Sequence, residues 1–421
     1  MLCMTRILAW LLAFALPALV GCSEAPPRDD AAARAPLILI SIDGFRADYL
    51  QRGLTPTLAA LAADGVHAEA MQPSFPSITF PNHYTLVTGL YPDHHGIVHN
   101  TMQDPALGRF ALGNRAAVGD GRWWAEGEPI WVTAEKQGLH TATMFWPGSE
   151  AAIHGVRPDH WHPYDGDVAP RTRVDQVLAW LDLPATQRPA FITLYFDAVD
   201  GAGHWHGPDS PELNAALRDT DAALARLVDG LRRRGLYDRV NLVIVSDHGM
   251  TATPPAQTIY LDDLIDLSDV DVVTYDVPAE LNPKPEHAAA VARALLAPHP
   301  HLRCYARDAL PARLHYGGNP RVAAIVCIPD DGWLVSTHAR QAKRKRALLG
   351  EHGYDNDDPA MRALFVAHGP DFRRGVVLPE FPNVDVYPLL AHLLGIRPQP
   401  NDGDLTPLRG ALAMPATAMH R

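Results

Sequence analysis

The sequence has few cysteines, no excess of positive charge and no long apolar run. Only four of its 421 residues are cysteines, which excludes a small domain held together mainly by disulfides. Acidic residues outnumber basic ones by 48 to 36, and the net charge of −12 argues against a protein that binds nucleic-acid polymers. The apolar segment Ile7–Leu16 is shorter than the roughly 20 residues that a membrane-spanning helix needs. With 47% hydrophobic residues, the chain suits a large α/β enzyme.

The first residues have the pattern of an export signal. Arg6 is followed by the apolar segment, and Leu19–Cys22 looks like a lipobox. We therefore predict a signal peptide over residues 1–21, lipid modification of Cys22 and a tether over 22–35. The protein would lie on the periplasmic side of the cell envelope, attached to a membrane only through lipid. Ordinary secretion to the periplasm is the alternative.

The other cysteines form a natural pair. Cys3 lies in the predicted signal peptide and Cys22 would carry the lipid, which leaves Cys304 and Cys327. In an oxidising envelope we expect these two to form a disulfide. A zinc site on their thiolates is the weaker alternative, because no two cysteines have the CxxC spacing that is typical of such sites.

The body of the chain alternates between apolar runs, which predict buried strands, and leucines spaced three or four residues apart, which predict helices. The predicted strands cover 37–42, 141–146, 190–196, 240–245, 322–328 and 363–367, and the predicted helices cover 55–65, 209–235, 286–296 and 384–394. This alternation predicts an α/β fold with a mostly parallel central sheet and helices on both faces, over residues 36–400. The Pro-rich stretch from about 250 to 350 is predicted to be a smaller inserted subdomain, and 401–421 a C-terminal tail.

Residues 75–90 set one hydroxyl at the start of a predicted helix. Pro81 suits the first helical turn, and apolar residues follow it with helical spacing. Thr79 would then lie at the helix N-terminus, where the helix dipole and unpaired backbone N–H groups favour a phosphate and an oxyanion. The alternative is that Thr79 is an ordinary N-cap.

Aspartate and histidine residues follow the predicted strands at their carboxyl ends, where open α/β sheets bind ligands. These candidate metal ligands are Asp43, Asp200, His204, Asp247, His248 and His352. Each short motif, found alone, could be a simple turn; Asp200–His204 is predicted to be a glycine-rich turn. With the Thr79 hydroxyl there are seven candidate ligands, which is too many for one tetrahedral zinc ion and suits two metals. Two metals can bind both the attacking and the leaving oxygen of an in-line phosphoryl displacement.

Six separated motifs include all seven of these residues. They are Asp43–Arg46, Thr79–His83, Gly96–Asn100, Asp200–Pro208, Ser246–Met250 and His352–Asn356. In this order they resemble the nucleotide pyrophosphatase/phosphodiesterase family of the alkaline phosphatase superfamily. The resemblance runs from about residue 37 to 400, and six ordered motifs are far more specific than any one of them.

The resemblance implies an alkaline phosphatase-like fold and a site with two Zn²⁺ ions in which Thr79 is the nucleophile. The zinc ion that activates this hydroxyl would be held by Asp43, Thr79, Asp247 and His248. The second zinc ion would be held by Asp200, His204 and His352. Asn100 would donate a hydrogen bond to a non-bridging phosphate oxygen.

The resemblance also implies a nucleotide pocket. Phe80 and Tyr195 are similar to the aromatic pair between which this family holds a nucleobase. Leu112 and Tyr164 would line the same pocket, and core packing explains these two equally well. Stacking on aromatic rings stabilises a bound base by roughly 1–3 kcal/mol with little choice among bases.

The implied reaction is hydrolysis of phosphodiester and phosphoanhydride bonds in nucleotides, with release of nucleoside 5′-monophosphates. A phosphodiesterase acting on choline-type or lipid head groups is the alternative enzyme, since it would share the metal site and differ in the pocket. A phosphomonoesterase is disfavoured because no arginine lies beside Thr79 in the sequence. An envelope lipoprotein that binds metal without turnover is the alternative from another class.

Overall fold

The computed structural model describes residues 34–275 and 277–413. The predicted signal peptide, the lipid-modified Cys22 and the tether up to residue 33 lie outside the described residues and remain predictions. Within the described residues, none of the helices combines the length and the apolar character that crossing a membrane requires.

The described part of the chain contains twenty strands and eleven α-helices. The strands are β1 Leu37–Ile42, β2 Val66–Ala68, β3 Met71–Gln72, β4 Thr101–Asp104, β5 Gly108–Ala111, β6 Thr141–Met144, β7 His160–Trp161, β8 Phe191–Phe196, β9 Asn241–Val245, β10 Thr251–Ala252, β11 Thr258–Tyr260, β12 Val270–Thr274, β13 Ala279–Pro283, β14 Leu302–Ala306, β15 Ile325–Pro329, β16 Leu334–Ser336, β17 Gly350–Glu351, β18 Phe365–His368, β19 Val376–Leu378 and β20 Phe381–Pro382. The helices are α1 Pro56–Ala63, α2 Thr79–Thr88, α3 Pro92–His95, α4 Arg115–Val118, α5 Ile130–Lys136, α6 Pro170–Leu181, α7 Ala198–His206, α8 Pro211–Arg233, α9 Ala288–Leu295, α10 His338–Lys343 and α11 Val386–Leu394.

Eight strands form the central sheet in the order β19-β2-β18-β9-β1-β8-β6-β7. Five of the seven neighbouring pairs are parallel; β18 runs antiparallel to both of its neighbours. The prediction of a mostly parallel sheet is therefore confirmed. The strand predicted over 363–367 lies at 365–368 and is the antiparallel one, a direction that an apolar run by itself does not reveal.

Strand β1 shows why helices cover both faces of this sheet. Successive side chains of a strand point to opposite faces. Leu37 and Leu39 belong to a core cluster that includes residues of α2, α5 and α11. Ile38, Ile40 and Ile42 belong to a second cluster with residues of α1, α6 and α8. A strand buried on both faces has to be apolar at nearly every position, which is the pattern that this segment shows.

A second, smaller sheet lies within the stretch in which an inserted subdomain is predicted. It has the order β12-β13-β15-β14, its neighbouring strands are antiparallel, and it has its own apolar cluster. Cys304 and Cys327 face each other on β14 and β15 and form the predicted disulfide. The described residues nevertheless belong to one compact unit.

The chain continues to pack beyond the predicted domain boundary at residue 400. Leu408 and Ala411 are fully buried in the larger core cluster, and Asp402 accepts a hydrogen bond from the backbone N–H of Tyr91. The boundary was therefore placed too early, because these few apolar residues have no periodic pattern of their own. Residues 414–421 of the predicted tail lie outside the described residues.

A buried carboxyl group connects the second sheet to the rest of the protein. Glu280 on β13 is fully buried, and its Oε1 lies 2.6 Å from the hydroxyl of Tyr316, which also lies 3.1 Å from the Val98 carbonyl oxygen. One hydroxyl proton cannot serve both acceptors. A protonated Glu280 satisfies both contacts, since it can donate to Tyr316 while Tyr316 donates to Val98. Burial raises the pKa of Glu280 from 4.5 to about 7.

This group is expected to make the free energy of unfolding depend on pH. The folded protein holds the Glu280 proton up to about pH 7, whereas the unfolded chain releases it near 4.5. Stability should therefore fall as the pH rises through this interval, by about 3 kcal/mol from this residue. Urea unfolding of the wild type and of Glu280→Gln at several pH values isolates the effect. Glu286→Gln, an exposed change nearby, is the control, and a pH slope in Glu280→Gln equal to the wild type would contradict the assignment.

Candidate active site

The order of the strands brings three separated motifs together. Strands β9, β1 and β8 are neighbours, and they run parallel, so their carboxyl ends meet at one edge of the sheet. Asp43 follows β1, Asp247 and His248 follow β9, and the helix that carries Asp200 and His204 follows β8. This edge is where an open α/β sheet binds ligands, as the sequence predicts.

Gly44 allows the loop after β1 to approach α7. Its φ is +67°, and a Cβ atom at this position would lie 2.9 Å from the Cα atom of Asp200. Any larger residue would therefore clash with the backbone that carries a candidate ligand. The close approach places Asp43 and Asp200 in the same site.

The segment from Asp200 to His204 is not the predicted glycine-rich turn. It belongs to α7, in spite of Gly201 and Gly203. The spacing of four residues puts both side chains on one face of a helix, so Asp200 Oδ1 lies 3.4 Å from His204 Nε2. Gly203 packs closely against Met250, because a Cβ there would lie 2.8 Å from the end of the Met250 side chain.

Thr79 is the first residue of α2 and is not its N-cap. The N-cap is Ile78, whose backbone is extended and whose side chain makes no capping hydrogen bond. The Thr79 Oγ1 atom lies 3.4 Å from His248 Nε2. The hydroxyl thus faces the candidate metal ligands instead of closing the helix end, which rejects the ordinary N-cap interpretation.

One group of side chains is built around His248, which contacts the Thr79 hydroxyl. His248 Nε2 lies 3.4 Å from Asp43 Oδ1 and 3.0 Å from Asp247 Oδ2. All three side chains are buried. These are the residues that the family resemblance assigns to the first metal.

A second group lies directly beside the first. His352 Nε2 lies 3.1 Å from His204 Nε2 and 3.5 Å from Asp200 Oδ1. The rings of His248 and His352 stack with their centroids 3.6 Å apart, so the two groups are continuous. The structure therefore brings all seven predicted ligands into one site.

Hydrogen bonds orient each candidate histidine ligand. The Nδ1 atoms of His204, His248 and His352 lie 2.9–3.0 Å from the backbone carbonyl oxygens of residues 350, 249 and 77. Donation from Nδ1 leaves the Nε2 lone pair free to bind a metal, and the Nε2 atoms are the ones that face the site.

The carboxylates of the site have acceptor atoms that the protein itself does not satisfy. Asp43 Oδ1, Asp200 Oδ1 and Asp247 Oδ2 are buried and receive no hydrogen bond of good geometry from the described residues. Burial, followed by repulsion from Asp247 and Asp200, raises the pKa of Asp43 well above its ordinary value. A bound divalent cation would supply the missing partner for all three oxygens, so the residues present fit the metals that the family resemblance implies.

Burial and neighbouring groups also shift the pKa values of His352 and Asp247. Burial lowers the pKa of His352 well below its ordinary value, and the neighbouring His248 and His204 add to this effect. Burial alone would raise the pKa of Asp247, but His248 and His83 outweigh it and hold that pKa well below the ordinary range. A neutral His352 and an ionised Asp247 are the forms that bind a metal.

Two further side chains of the site were not predicted. His83 is buried behind Thr79, and its Nδ1 lies 3.2 Å from Asp247 Oδ2 and 2.9 Å from the Thr79 carbonyl oxygen, while its Nε2 lies 2.8 Å from the Ser41 hydroxyl. Its position four residues after Thr79 on one helix was the available signal. Glu351 is the second, with Oε1 3.5 Å from His204 Nδ1.

The side chain of Asn100 contacts the first turn of α2, although Asn100 itself lies outside that helix. Its Oδ1 accepts a hydrogen bond of 2.8 Å from the backbone N–H of Phe80. One of the helix N–H groups that were expected to meet a phosphate is therefore already paired. The Asn100 side-chain Nδ2 makes no hydrogen bond within the described residues, so this group is left as the donor.

A cavity of about 360 Å³ opens beside Thr79. Its apolar and aromatic walls include all four predicted pocket residues, together with Pro147 and two larger side chains that were not predicted. Apart from Pro147, these residues are Phe80, Leu112, Val118, Trp146, Tyr164 and Tyr195. Leu112 is 49% exposed, so core packing does not account for it.

Tyr195 connects this pocket to the candidate metal ligands. Its hydroxyl donates a hydrogen bond of 2.6 Å to Asp43 Oδ2. Burial and the nearby Asp43 raise the pKa of Tyr195 well above its ordinary value, so the hydroxyl keeps its proton. The ring therefore lines the pocket while the hydroxyl orients a candidate metal ligand.

The chain is similar to known proteins. The family model described as type I phosphodiesterase / nucleotide pyrophosphatase matches residues 37–355. The chain belongs to this family. An uncharacterised pyrophosphatase/phosphodiesterase of Schizosaccharomyces pombe is 42% identical over 379 residues, which cover 87% of this chain and 78% of that protein. The human ectonucleotide pyrophosphatase/phosphodiesterase family member 1 is 39% identical over 87% of this chain and 41% of its own length, so the chain spans less than half of that relative.

Solved structures of the same family have the same fold. Murine ectonucleotide pyrophosphatase/phosphodiesterase 5, as an inactive threonine-to-alanine variant in complex with AMP, is 36% identical with a TM-score of 0.85; the match covers 90% of this chain and all of that one. The human counterpart is 35% identical with a TM-score of 0.86 and the same coverage. The alkaline phosphatase-like α/β fold implied by the motifs is therefore confirmed. As a member of this metal-dependent hydrolase family, the chain carries a cluster of candidate metal-binding residues at the expected place.

Proposed function

We propose that this family member hydrolyses phosphodiester and phosphoanhydride bonds of nucleotides with Thr79 as the nucleophile and two Zn²⁺ ions as cofactors, releasing nucleoside 5′-monophosphates. One observation carries the proposal. The Thr79 hydroxyl lies 3.4 Å from His248, which belongs to a cluster of three carboxylates and three oriented imidazoles, and Thr79 also lines a cavity with apolar and aromatic walls.

The metals would be held in two groups. The first group is Asp43, Thr79, Asp247 and His248. The second group is Asp200, His204 and His352. When bound, the metals would lower the pKa of the Thr79 hydroxyl and neutralise charge on the transferred phosphoryl group.

The protein's own residues would then position the substrate. α2 holds the Thr79 Oγ1 at the edge of the pocket, and His83 fixes its first turn through the Thr79 carbonyl oxygen. Asn100 Nδ2 would donate to a non-bridging phosphate oxygen, because its Oδ1 is already taken by Phe80. The rings of Phe80 and Tyr195 would contact the nucleobase.

One solved relative supports the proposed product and the proposed nucleophile. AMP, which murine family member 5 binds, is a nucleoside 5′-monophosphate and therefore the class of product expected here. That relative is described as inactive after one threonine-to-alanine change, which agrees with a threonine nucleophile.

The pocket's charges argue against the choline-type alternative. A quaternary ammonium group needs aromatic faces and an available negative charge. Besides the candidate metal ligands Asp43 and Asp200, two carboxylates line the pocket, and both are paired with arginines: Glu150 with Arg115 at 3.1 Å and Asp197 with Arg173 at 2.9 Å. Both also accept hydrogen bonds from Tyr164, so their charge is already compensated.

The direct test is product analysis with the zinc-loaded protein. We expect AMP and pyrophosphate from ATP, and little turnover of a choline phosphodiester or of a phosphomonoester. Faster turnover of the choline ester would overturn the pocket assignment and leave the metal site intact. Absence of turnover on all substrates would favour a binding protein.

The Phe80→Ala variant should show whether Phe80 binds the nucleobase or only supports the core. Phe80 is half-buried and also contacts Phe110 and Trp124, each with ring centroids 6.0 Å away. Loss of base stacking is expected to raise KM for a nucleotide ester roughly tenfold or more, and to change KM for a small aryl phosphodiester much less. Steady-state kinetics on both substrates provide the check. Equal effects on the two would mean that Phe80 only supports the core.

A further inference from the structure

A second cavity meets the nucleotide pocket at the candidate metal ligands. It has a volume of about 270 Å³ and shares Asn100, Leu112, His204 and His352 with the first cavity. Phe80 and Tyr195 do not line it. The residues that line only this second cavity are here called the distal groove: Ile78, His99, Trp205, Val277, Leu348 and Glu351. A substrate with its nucleoside in the first cavity and its phosphorus at Thr79 therefore has a second space for the group that departs.

Trp205 is the most conspicuous residue of the distal groove. It directly follows the candidate ligand His204 on α7 and is 44% exposed. The guanidinium of Arg346 lies 5.4 Å from its ring centroid and donates a hydrogen bond of 3.0 Å to its backbone carbonyl. A large aromatic ring that is oriented by an arginine and still accessible is suited to stacking on another flat ring.

The segment beside this ring is strongly basic. Residues 343–346 are Lys-Arg-Lys-Arg, in a chain whose net charge is −12. Arg346 contacts Trp205, and Leu348, two residues further on, lines the groove. The one carboxylate of the groove, Glu351, faces the His204 imidazole at 3.5 Å. The surroundings thus offer positive charge and an aromatic face together, which match phosphate groups joined to a nucleobase.

We propose that the distal groove binds the leaving half of a dinucleoside polyphosphate, with its base on Trp205 and its phosphates beside residues 343–346. This rests on the proposed function. The Thr79 oxygen forms a bond to the α-phosphorus, the bond from that phosphorus to the bridging oxygen breaks, and the proton of the Thr79 hydroxyl passes to that departing oxygen. The electron pair departs with the nucleoside polyphosphate. Water then adds its hydroxyl to phosphorus and returns a proton to the Thr79 oxygen, which releases the nucleoside monophosphate.

The test compares two substrates that share an AMP half and differ only in the leaving group, diadenosine tetraphosphate and ATP. Trp205→Ala in the zinc-loaded full chain is expected to lower kcat/KM for diadenosine tetraphosphate about tenfold or more. The same change should lower kcat/KM for ATP less than threefold, because pyrophosphate has no ring to stack. Trp205→Phe, which keeps an aromatic face, should recover most of the loss.

Trp161 provides a matched control. It is 36% exposed, has the Arg157 guanidinium 5.3 Å from its ring centroid, and lines neither cavity. Trp161→Ala should leave both substrates unaffected. Equal losses on both substrates in Trp205→Ala, or no loss on diadenosine tetraphosphate, would overturn the groove assignment alone. Failure of the wild type to release AMP from either substrate would instead overturn the proposed function.

Discussion

Thr79→Ala is expected to lower the rate of nucleotide hydrolysis by at least roughly 1,000-fold while the protein keeps its metal ions. The change removes the oxygen that attacks phosphorus, but it leaves three carboxylates and three imidazoles in the site. AMP release from ATP measures the first effect, and elemental analysis of the purified variant measures the second. Thr79→Ser, which retains a hydroxyl, should recover part of the activity.

A threonine on the same helix provides the control. The Thr88 hydroxyl donates to the Tyr84 carbonyl oxygen within α2 at 2.7 Å and faces no candidate ligand. Thr88→Ala is therefore expected to stay close to the wild-type rate. Wild-type activity in Thr79→Ala would rule out the nucleophile assignment. Loss of metal together with activity would show that Thr79 is needed as a ligand before it can be tested as a nucleophile.

Removal of the metals is expected to have the second large effect, on both hydrolysis and the unfolding temperature. Chelation should abolish hydrolysis, and added Zn²⁺ should restore it, with about two ions bound per chain. The metal-free protein should also unfold at a lower temperature, because Asp43, Asp200 and Asp247 then repel one another in a buried site. Asp200→Ala should reduce the metal content to about one ion per chain.

Another carboxylate–histidine cluster serves as the control for this measurement. Glu135, His140 and Asp159 lie within coordinating distance of one another, but the last two are exposed and the cluster lies outside the nucleotide pocket and the distal groove. Asp159→Ala should therefore change neither metal content nor activity. A lower metal content in Asp159→Ala and an unchanged content in Asp200→Ala would show that the metal binds at the Glu135, His140 and Asp159 cluster and not at the proposed site.

The strand order decides the geometry on which both experiments depend. β1 lies between β8 and β9, so the motifs that begin near Asp43, Asp200 and Asp247 meet at one edge of the sheet. In the chain, the first two are about 150 residues apart and the last two about 50. Hydrogen bonds from Tyr195 to Asp43 and from the Gly44 N–H to Asp247 then hold the carboxylates in position. The site therefore depends on the sheet as a whole as much as on its ligands.

Local pattern was sufficient for several elements. β1 was predicted at its observed bounds because burial on both faces requires an apolar residue at nearly every position. The helix starting near residue 209 was also predictable, since Ser210 caps it, Pro211 opens it and its buried leucines have helical spacing. The candidate ligands could be recognised because Asp, His and Thr were concentrated where strands end.

By itself, the sequence determined the α/β class, the family and the seven candidate ligands, because these depend on residue type and on spacing within short segments. Only the tertiary structure decided that Asp200 and His204 share a helix, that His83 supports Asp247, that Asn100 is fixed by Phe80, and that Trp205 borders a second cavity. These contacts join segments that are far apart in the chain or depend on how a glycine-containing segment packs. Periodicity reports which face of an element is buried, but it does not report what that face will contact.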